Sequence, residues 1–208
     1  MSKSTKERFF RMLNERFTPD LLDAGFRGAG RSYYRIVAPR IDVITIQSSS
    51  MGDKCCVNLG VHFDFLTAPG GSELPEPKLM REHHCEFRTR LVGGDQADAW
   101  WAYQPWHRLI GRQGDQIAKA FAATGVDFFA QFEPYPDVFE AITPEQVENG
   151  ELPFRGRNPS VGRTALILAR IMHQSGRLEK AREFAAVGLR KVSPQAIILK
   201  SELEALAY

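Results

Sequence analysis

Six side chains in the middle of the chain have the types best suited to chemistry. They are cysteines and histidines: Cys55, Cys56, His62, His83, His84 and Cys85. Thiolates and imidazoles are zinc ligands, and a structural zinc site uses four of them. The spacing contains no Cys-x-x-Cys or His-x-x-x-His pair, and adjacent side chains on a strand point to opposite faces. We therefore predict no metal site and no cofactor, with the cysteines buried and the histidines partly exposed.

A thiol can also act as a nucleophile when a histidine and a third, orienting group stand beside it. Cys85 could use His62 or His84, but no local signature accompanies them. A core thiol packed beside Phe87 explains Cys85 without any reaction. The sequence therefore predicts no catalytic residue. It favours a protein without enzymatic activity, but it leaves that question open.

Another group of side chains could bind a ligand. Asn58 and His62 lie on one predicted strand, and Arg88 and Arg90 lie on another. Because side chains alternate along a strand, all four share one face if the apolar residues between them face the core. Two arginines beside an amide and an imidazole could hold a carboxylate or phosphate by forked hydrogen bonds. The alternative is a solvated face on which the arginines pair with acids; Gln47, on a third strand, has an ambiguous side.

These residues are positioned by strands that the alternation of apolar and polar residues predicts. Residues 31–37, 41–48, 54–63 and 85–92 form four such runs, and the first three are joined by short turns, which makes neighbours antiparallel. One face of the third run is apolar, with Val57, Leu59, Val61 and Phe63, and the other face is more polar. The proline- and glycine-rich loop before the fourth run is long enough to move or to cover something.

Helical periodicity surrounds these strands at residues 5–24, 95–103, 105–124 and 126–132. Trp100 and Trp101, with Trp106 nearby, could stack on a base or a sugar, although packing in the core is the simpler role. The whole pattern predicts an α+β fold, in which an antiparallel sheet of four to five strands packs with helices.

The chain divides by composition into residues 1–135, which form the sheet domain, a linker with short helices at 136–160, and a helical hairpin with a final helix at 161–208. Prolines punctuate the linker. In the hairpin Arg163, Arg170 and Arg177 are seven residues apart, so we expect them along one helix face. Such a stripe could contact nucleic-acid phosphates. The solvated side of an amphipathic helix is the simpler interpretation.

Charge is segregated along the chain although the net formal charge is only +2. Residues 1–40 carry nine basic and four acidic side chains, residues 155–191 carry nine and two, and residues 64–151 carry seven and fifteen. The ends could fold back on the middle, or they could present a basic surface to an acidic partner. No run has the length and apolar character of a signal peptide or a membrane span, which predicts a cytoplasmic protein without a membrane partner.

Six short motifs follow an N-terminal helix in a familiar order: Gly25-Phe26, Tyr33-Tyr34, Val43-Ile44-Thr45-Ile46-Gln47-Ser48, Val57-Asn58-Leu59-Gly60-Val61, Cys85-Glu86-Phe87-Arg88-Thr89-Arg90-Leu91 and Trp100-Trp101. Over about residues 5–132 the chain resembles the bacterial family catalogued as domain of unknown function 4304. The resemblance implies an α+β domain with an antiparallel sheet, and it implies no activity. Residues 164–194 resemble a single tetratricopeptide-like helical hairpin, whereas a working solenoid needs about three repeats.

Together these observations favour a non-catalytic binding protein, of the adaptor or immunity type, that acts through protein–protein contact. The first alternative is binding of a small anion, or catalysis, on the polar sheet face. The second is nucleic-acid binding through the basic hairpin. The sequence does not define the oligomeric state.

Overall fold

The computed structural model describes residues 3–69, 71–92, 99–103, 107–156 and 159–208. The chain forms two compact units, Met1–Ala130 and Gln131–Tyr208. The first unit contains an antiparallel sheet with several helices, and the second unit contains helices. The predicted α+β fold class is confirmed.

The sheet has six strands in the described part of the first unit: β1 (Arg27–Ala29), β2 (Ser32–Val37), β3 (Arg40–Ser48), β4 (Lys54–Phe63), β5 (Phe87–Arg90) and β6 (Trp101–Ala102). Neighbours pair antiparallel in the order β1-β2-β3-β4-β5, and β6 pairs with the beginning of β4. The four predicted runs correspond to β2–β5. Strands β1 and β6 are too short for alternation to reveal them.

The described part of the same unit contains four α-helices: α1 (Lys3–Arg16), α2 (Thr18–Asp23), α3 (His107–Ala120) and α4 (Val126–Ala130), with a π-helical turn at Phe121–Gly125 joining the last two. Phenylalanines of these elements, and Phe17 between α1 and α2, enter the core: Phe9, Phe17, Phe121, Phe128 and Phe129. Arg40, on the same face of β3 as the core, donates a hydrogen bond to the carbonyl of Phe129. This bond places α4 against the apolar face of the sheet.

The prediction of a helix at 95–103 is wrong at its end. Trp101 and Ala102 form β6, because Trp101 pairs with Cys55 and Ala102 pairs with Lys54 at the beginning of β4. Residues 95–98 and Trp106 lie outside the described residues. A two-residue strand depends on its partner across the sheet, which local sequence does not contain.

The second unit contains five helices in its described part: α5 (Asp137–Glu140), α6 (Pro144–Asn149), α7 (Val161–Gln174), α8 (Leu178–Lys191) and α9 (Ile197–Ala207). The predicted hairpin is α7–α8, and Gly176 in its turn has a φ of 74°, which glycine adopts without strain. A Cβ on Gly188 would lie 2.5 Å from Leu203 of α9 and 3.1 Å from Ala165 of α7. The small residue therefore lets three helices approach closely.

None of the helices in the described part of the chain combines the length and the apolar character that crossing a membrane requires.

Candidate functional site

The side of the sheet that faces away from α4 is called here the polar face. Along β4 it carries Lys54, Cys56, Asn58, Gly60 and His62. The register places Gln47 beside Cys56, Arg90 beside Asn58, and Arg88 beside Gly60. The sheet therefore brings Asn58, Arg88 and Arg90 to neighbouring positions, as predicted, and it resolves the side on which Gln47 lies.

The chain between β4 and β5 covers the half of the polar face nearest His62. This segment contains two 3₁₀ turns, Pro77–Leu79 and Glu82–His84. Apolar side chains of β3 and of this segment form a small core between the two: Ile41, Val43, Met80 and Cys85. His62 is fully buried there, and its Nε2 lies 3.2 Å from the carbonyl oxygen of Leu66. The interpretation of the polar face as open to solvent is wrong for this half, because the loop folds down onto it.

Asn58 is the centre of a hydrogen-bond network at the boundary of the covered half. Its Nδ2 donates to Gln47 Oε1 at 2.8 Å and to Glu82 Oε1 at 3.2 Å, and its Oδ1 accepts from Arg90 Nε at 3.2 Å. The Cys56 thiol lies 3.6 Å from the same Oδ1. With only 6% of its surface exposed, Asn58 needs these partners, because an unpaired buried amide is destabilising.

Glu82 is a member of this network that sequence reasoning missed. Its backbone N–H donates to the Thr45 hydroxyl at 3.3 Å, which fixes the 3₁₀ turn over the sheet. Its Oε1 accepts from Asn58, whereas its buried Oε2 has no hydrogen-bond partner. Glu82 stands in an irregular segment, where no sequence period relates it to a strand.

The open half of the polar face is organised around Trp100, just before β6. The Lys54 ammonium lies 5.1 Å from the centroid of this ring, and the Arg90 guanidinium lies 4.9 Å from it. Both distances suit cation–π attraction. Trp100, Lys54 and Arg90 are all half-buried. One indole therefore lies next to two cations, and one of them, Arg90, also donates a hydrogen bond to Asn58.

The four predicted ligand-binding residues are thus only partly assembled. A hydrogen bond joins Asn58 and Arg90, and the half-buried Arg88 lies two residues before Arg90 on the same face of β5. His62 lies in the covered half of the face. Their role in binding stays a prediction, for which Asn58, Arg88 and Arg90 now form the geometrical basis.

The three cysteines are buried thiols. Burial raises the pKa of Cys55 to about 12 and raises the pKa of Cys85 well above its ordinary value. A thiol reacts as the thiolate. Cys55 and Cys85 are therefore held in their unreactive, protonated form at neutral pH.

The histidine pair lies at the surface of the covering segment. The rings of His83 and His84 are 4.1 Å apart, and His84 Nδ1 accepts a hydrogen bond from the Arg81 backbone N–H at 3.0 Å. Partial burial lowers the pKa of His84, which favours the neutral ring. Among the described residues, no three His, Cys, Asp or Glu side chains are grouped so that they could hold a metal ion.

A buried ion-pair network on the opposite face was also missed. Asp42 is fully buried and lies 2.7 Å from Arg35 Nη2 and 2.9 Å from Arg40 Nε. Burial raises the pKa of Asp42, and the two guanidinium groups offset part of that rise. In the sequence, Arg35, Arg40 and Asp42 look like the polar residues of ordinary alternating strands. Only pairing between β2 and β3, which places Arg35 opposite Asp42, reveals the network.

In the second unit, the predicted basic stripe does not follow one helix face. Helix α7 ends before Arg177, which stands at the beginning of α8. Arg170 pairs with Glu202 at 3.0 Å, and Arg177 pairs with Glu140 at 3.1 Å. The expectation of a single helix face is wrong for Arg177, because the hairpin turn comes before it. A role of Arg163, Arg170 and Arg177 in nucleic-acid binding stays a prediction.

Comparison with known proteins gives a family match that covers most of the first unit. The family model described as Domain of unknown function (DUF4304) matches residues 17–131, which is more than half of the chain and includes all six strands. No curated protein and no solved structure matches the chain. The chain therefore belongs to the DUF4304 family, as the order of its short motifs predicted.

Proposed function

We propose that the protein is a non-catalytic binding protein, of the adaptor or immunity type, that recognises an acidic segment of a protein partner. The proposed contact surface is the open half of the polar face, with Lys54, Arg90 and Trp100. Arg88 adjoins it along β5, and the buried Asn58 supports Arg90 from behind. The observation that carries the proposal is the position of two cations, Lys54 and Arg90, within about 5 Å of the Trp100 ring.

The composition of this surface suits a protein interface. Tryptophan and arginine are enriched among the residues that contribute most to binding energy at interfaces. The Trp100 ring restrains the two cations, so less side-chain entropy is lost when a carboxylate binds them. Asn58 supports the same geometry by accepting a hydrogen bond from Arg90. Three basic side chains on one surface are complementary to Asp and Glu of a partner.

The groups nearest to this surface that could do covalent or acid–base chemistry are enclosed. Cys56 is buried beside Asn58, and His62 is bonded within the covered half. The Glu82 carboxylate accepts a hydrogen bond from Asn58 through Oε1, and its Oε2 is buried. These observations support binding rather than catalysis. A bacterial cytoplasmic location is part of the proposal, and the three buried thiols suit a reducing compartment.

A small anion, such as a free carboxylate or phosphate, is the alternative ligand for the same surface. Arg88 and Arg90 could hold it by forked hydrogen bonds. In that case Arg88→Ala should abolish the thermal stabilisation that citrate or phosphate produces, while the variant itself remains folded.

The test is a pull-down from lysate of the source cells with the wild-type protein, the double variant Lys54→Ala/Arg90→Ala, and the control Arg112→Ala. Arg112 is an exposed arginine on α3. We expect a stoichiometric protein to be retained by the wild type and by the control and to be lost from the double variant. A peptide from that protein should then bind, and replacing its Asp and Glu by Asn and Gln should abolish the binding.

Equal retention by the double variant would contradict the proposal, as would a partner whose peptide binds without its acidic residues. Unfolding of each variant in urea is measured in parallel. The loss of the partner counts only if the double variant remains folded under the conditions of the pull-down.

A further inference from the structure

We propose that a groove between α1 and the turn joining β1 to β2 binds an organic phosphate. The groove is distinct from the polar face and has a volume of about 690 Å³. One wall is α1, through Lys6, Phe10, Arg11 and Asn14, and the other wall is the hairpin tip, Gly30 and Arg31.

Helical spacing and a tight turn create the two walls. Lys6, Phe10 and Asn14 are four residues apart, so they lie on one side of α1, and Arg11 stands beside them. Gly30 has a φ of 68° at the first position of a two-residue hairpin turn, a conformation that glycine adopts readily. The turn therefore presents Arg31 towards α1.

Aromatic rings hold two of the cations in place. The Arg31 guanidinium lies 4.2 Å from the centroid of Phe10, and the Lys6 ammonium lies 5.9 Å from the centroid of Tyr103. A guanidinium stacked on a ring keeps its N–H groups at the edge, where they can form the forked hydrogen bonds that suit phosphate.

The basic side chains of this groove form no ion pairs with described residues, unlike basic side chains of the C-terminal hairpin. Within the described part of the chain, Lys6, Arg11 and Arg31 take part in no ion pair. In the hairpin, Arg190 and Lys191 both pair with Glu148, at 3.1 and 3.2 Å. A carboxylate also lines the groove, that of Glu7, but no ion pair joins it to the three cations. The groove is therefore a basic surface whose charge is available to a ligand.

The lining indicates the class of the ligand. A volume of this size is typical of small-molecule sites, which combine apolar lining with a few convergent polar groups. Three cations and the Asn14 amide suit a phosphate group, and the Phe10 side chain suits an apolar body attached to it. Phenyl phosphate has both parts and serves as the probe.

The experiment is a calorimetric titration of the full-length protein with phenyl phosphate at low salt. We expect saturable binding that weakens as salt is added, because exposed charges are screened. Arg11→Gln and Arg31→Gln should each weaken binding by roughly tenfold, the typical contribution of a charged hydrogen bond. Arg31→Lys should also weaken it, since a lysine keeps the charge but lacks the planar fork. The control Arg112→Gln removes a charge outside the groove and should leave binding unchanged.

Three results would overturn the assignment. They are the absence of binding at millimolar phenyl phosphate, equal binding of phenol, and binding that survives Arg11→Gln and Arg31→Gln combined. If inorganic phosphate bound as tightly as phenyl phosphate, the proposal that the ligand carries an organic group would be wrong. Thermal unfolding without ligand shows that each variant is folded. Lys54 and Arg90 lie outside the groove. The variant Lys54→Ala/Arg90→Ala should therefore bind phenyl phosphate as the wild type does, even where it loses the protein partner. The two proposals can thus fail independently of each other.

Discussion

Gly60 of β4 lies directly beneath Cys85, so closely that a Cβ at residue 60 would stand 2.7 Å from the Cys85 Sγ and 2.9 Å from its Cβ. Glycine within a strand often marks a close approach of another segment. Here the missing side chain lets the chain before β5 descend onto the polar face. This contact explains why Cys85, predicted to begin the fourth strand, instead covers the sheet.

Replacing Gly60 by alanine should therefore destabilise the protein by about 1–3 kcal/mol, the usual effect of overpacking a core. The Cys85 Cβ and the Glu82 Cα, 3.2 Å from the added carbon, are fixed to the backbone and cannot turn away. Urea unfolding measures the change. The control is Gly111→Ala in α3, where an added Cβ meets nothing within 4 Å; it should stabilise the protein by about 0.5–1 kcal/mol. A neutral Gly60→Ala would mean that the segment is not packed on the strand.

Asp42→Asn should be more destabilising, by about 3–5 kcal/mol, because it leaves the buried Arg40 without its counter-charge. Arg40 is 4% exposed and Asp42 is fully buried. The comparison is Asp115→Asn, which breaks the pair with Arg16 at a surface where both side chains are at least half exposed. That change should cost at most about 1 kcal/mol. Chemical unfolding measures the stability of both variants. If Asp42→Asn and Asp115→Asn lowered the free energy of unfolding by similar amounts, the Arg35–Asp42–Arg40 network would contribute little to stability.

Stability should fall at alkaline pH through Cys55 and Tyr103. Burial raises the pKa of Cys55 from 9.0 to about 12 and that of Tyr103 from 10.0 to about 12. Between these values the folded protein keeps protons that the unfolded chain has lost, so the free energy of unfolding decreases as pH rises from about 9 to about 12. Below about pH 9 these two groups should have no effect.

The unfolding midpoint in urea, measured across this pH range, checks the prediction. Tyr103→Phe removes one of the two groups and should make the fall between about pH 10 and pH 12 shallower. The substitution also removes the hydrogen bond to Ser48, which changes stability at every pH. The quantity to compare between variant and wild type is therefore the slope of the unfolding midpoint against pH. Tyr208→Phe is the control, because Tyr208 is 97% exposed. An unchanged slope in Tyr103→Phe would contradict the assignment.

Neutralising Arg170 and Arg177 should leave elution from a heparin column nearly unchanged. Both guanidinium groups already pair with glutamates within the unit, so we expect them to contribute little to contact with a polyanion. The matched double variant is Arg11→Gln/Arg31→Gln in the first unit, which should elute at lower salt. Earlier elution of the Arg170→Gln/Arg177→Gln variant would instead favour nucleic-acid binding through the hairpin.

Local pattern was sufficient for the long strands. The alternation of Val57, Leu59, Val61 and Phe63 predicted the buried face of β4, because a period of two in a half-buried strand reports directly on its environment. The same argument placed Asn58 on the opposite face with Arg90, and the register confirms that they are neighbours. Side-chain alternation therefore predicted the part of the candidate site that lies on regular strands.

What covers that face was decided by tertiary structure. Cys85 and Glu82 reach the sheet through an irregular segment, and irregular chain has no period from which its contacts could be predicted. Trp101 joins the sheet only because the edge of β4 is available to it, and Arg35 meets Asp42 only through the pairing of two strands. The sequence by itself determined the four longer strands, the α+β class and the family. The tertiary structure decided which polar side chains are enclosed and which remain available to a ligand, because burial depends on residues distant in the chain.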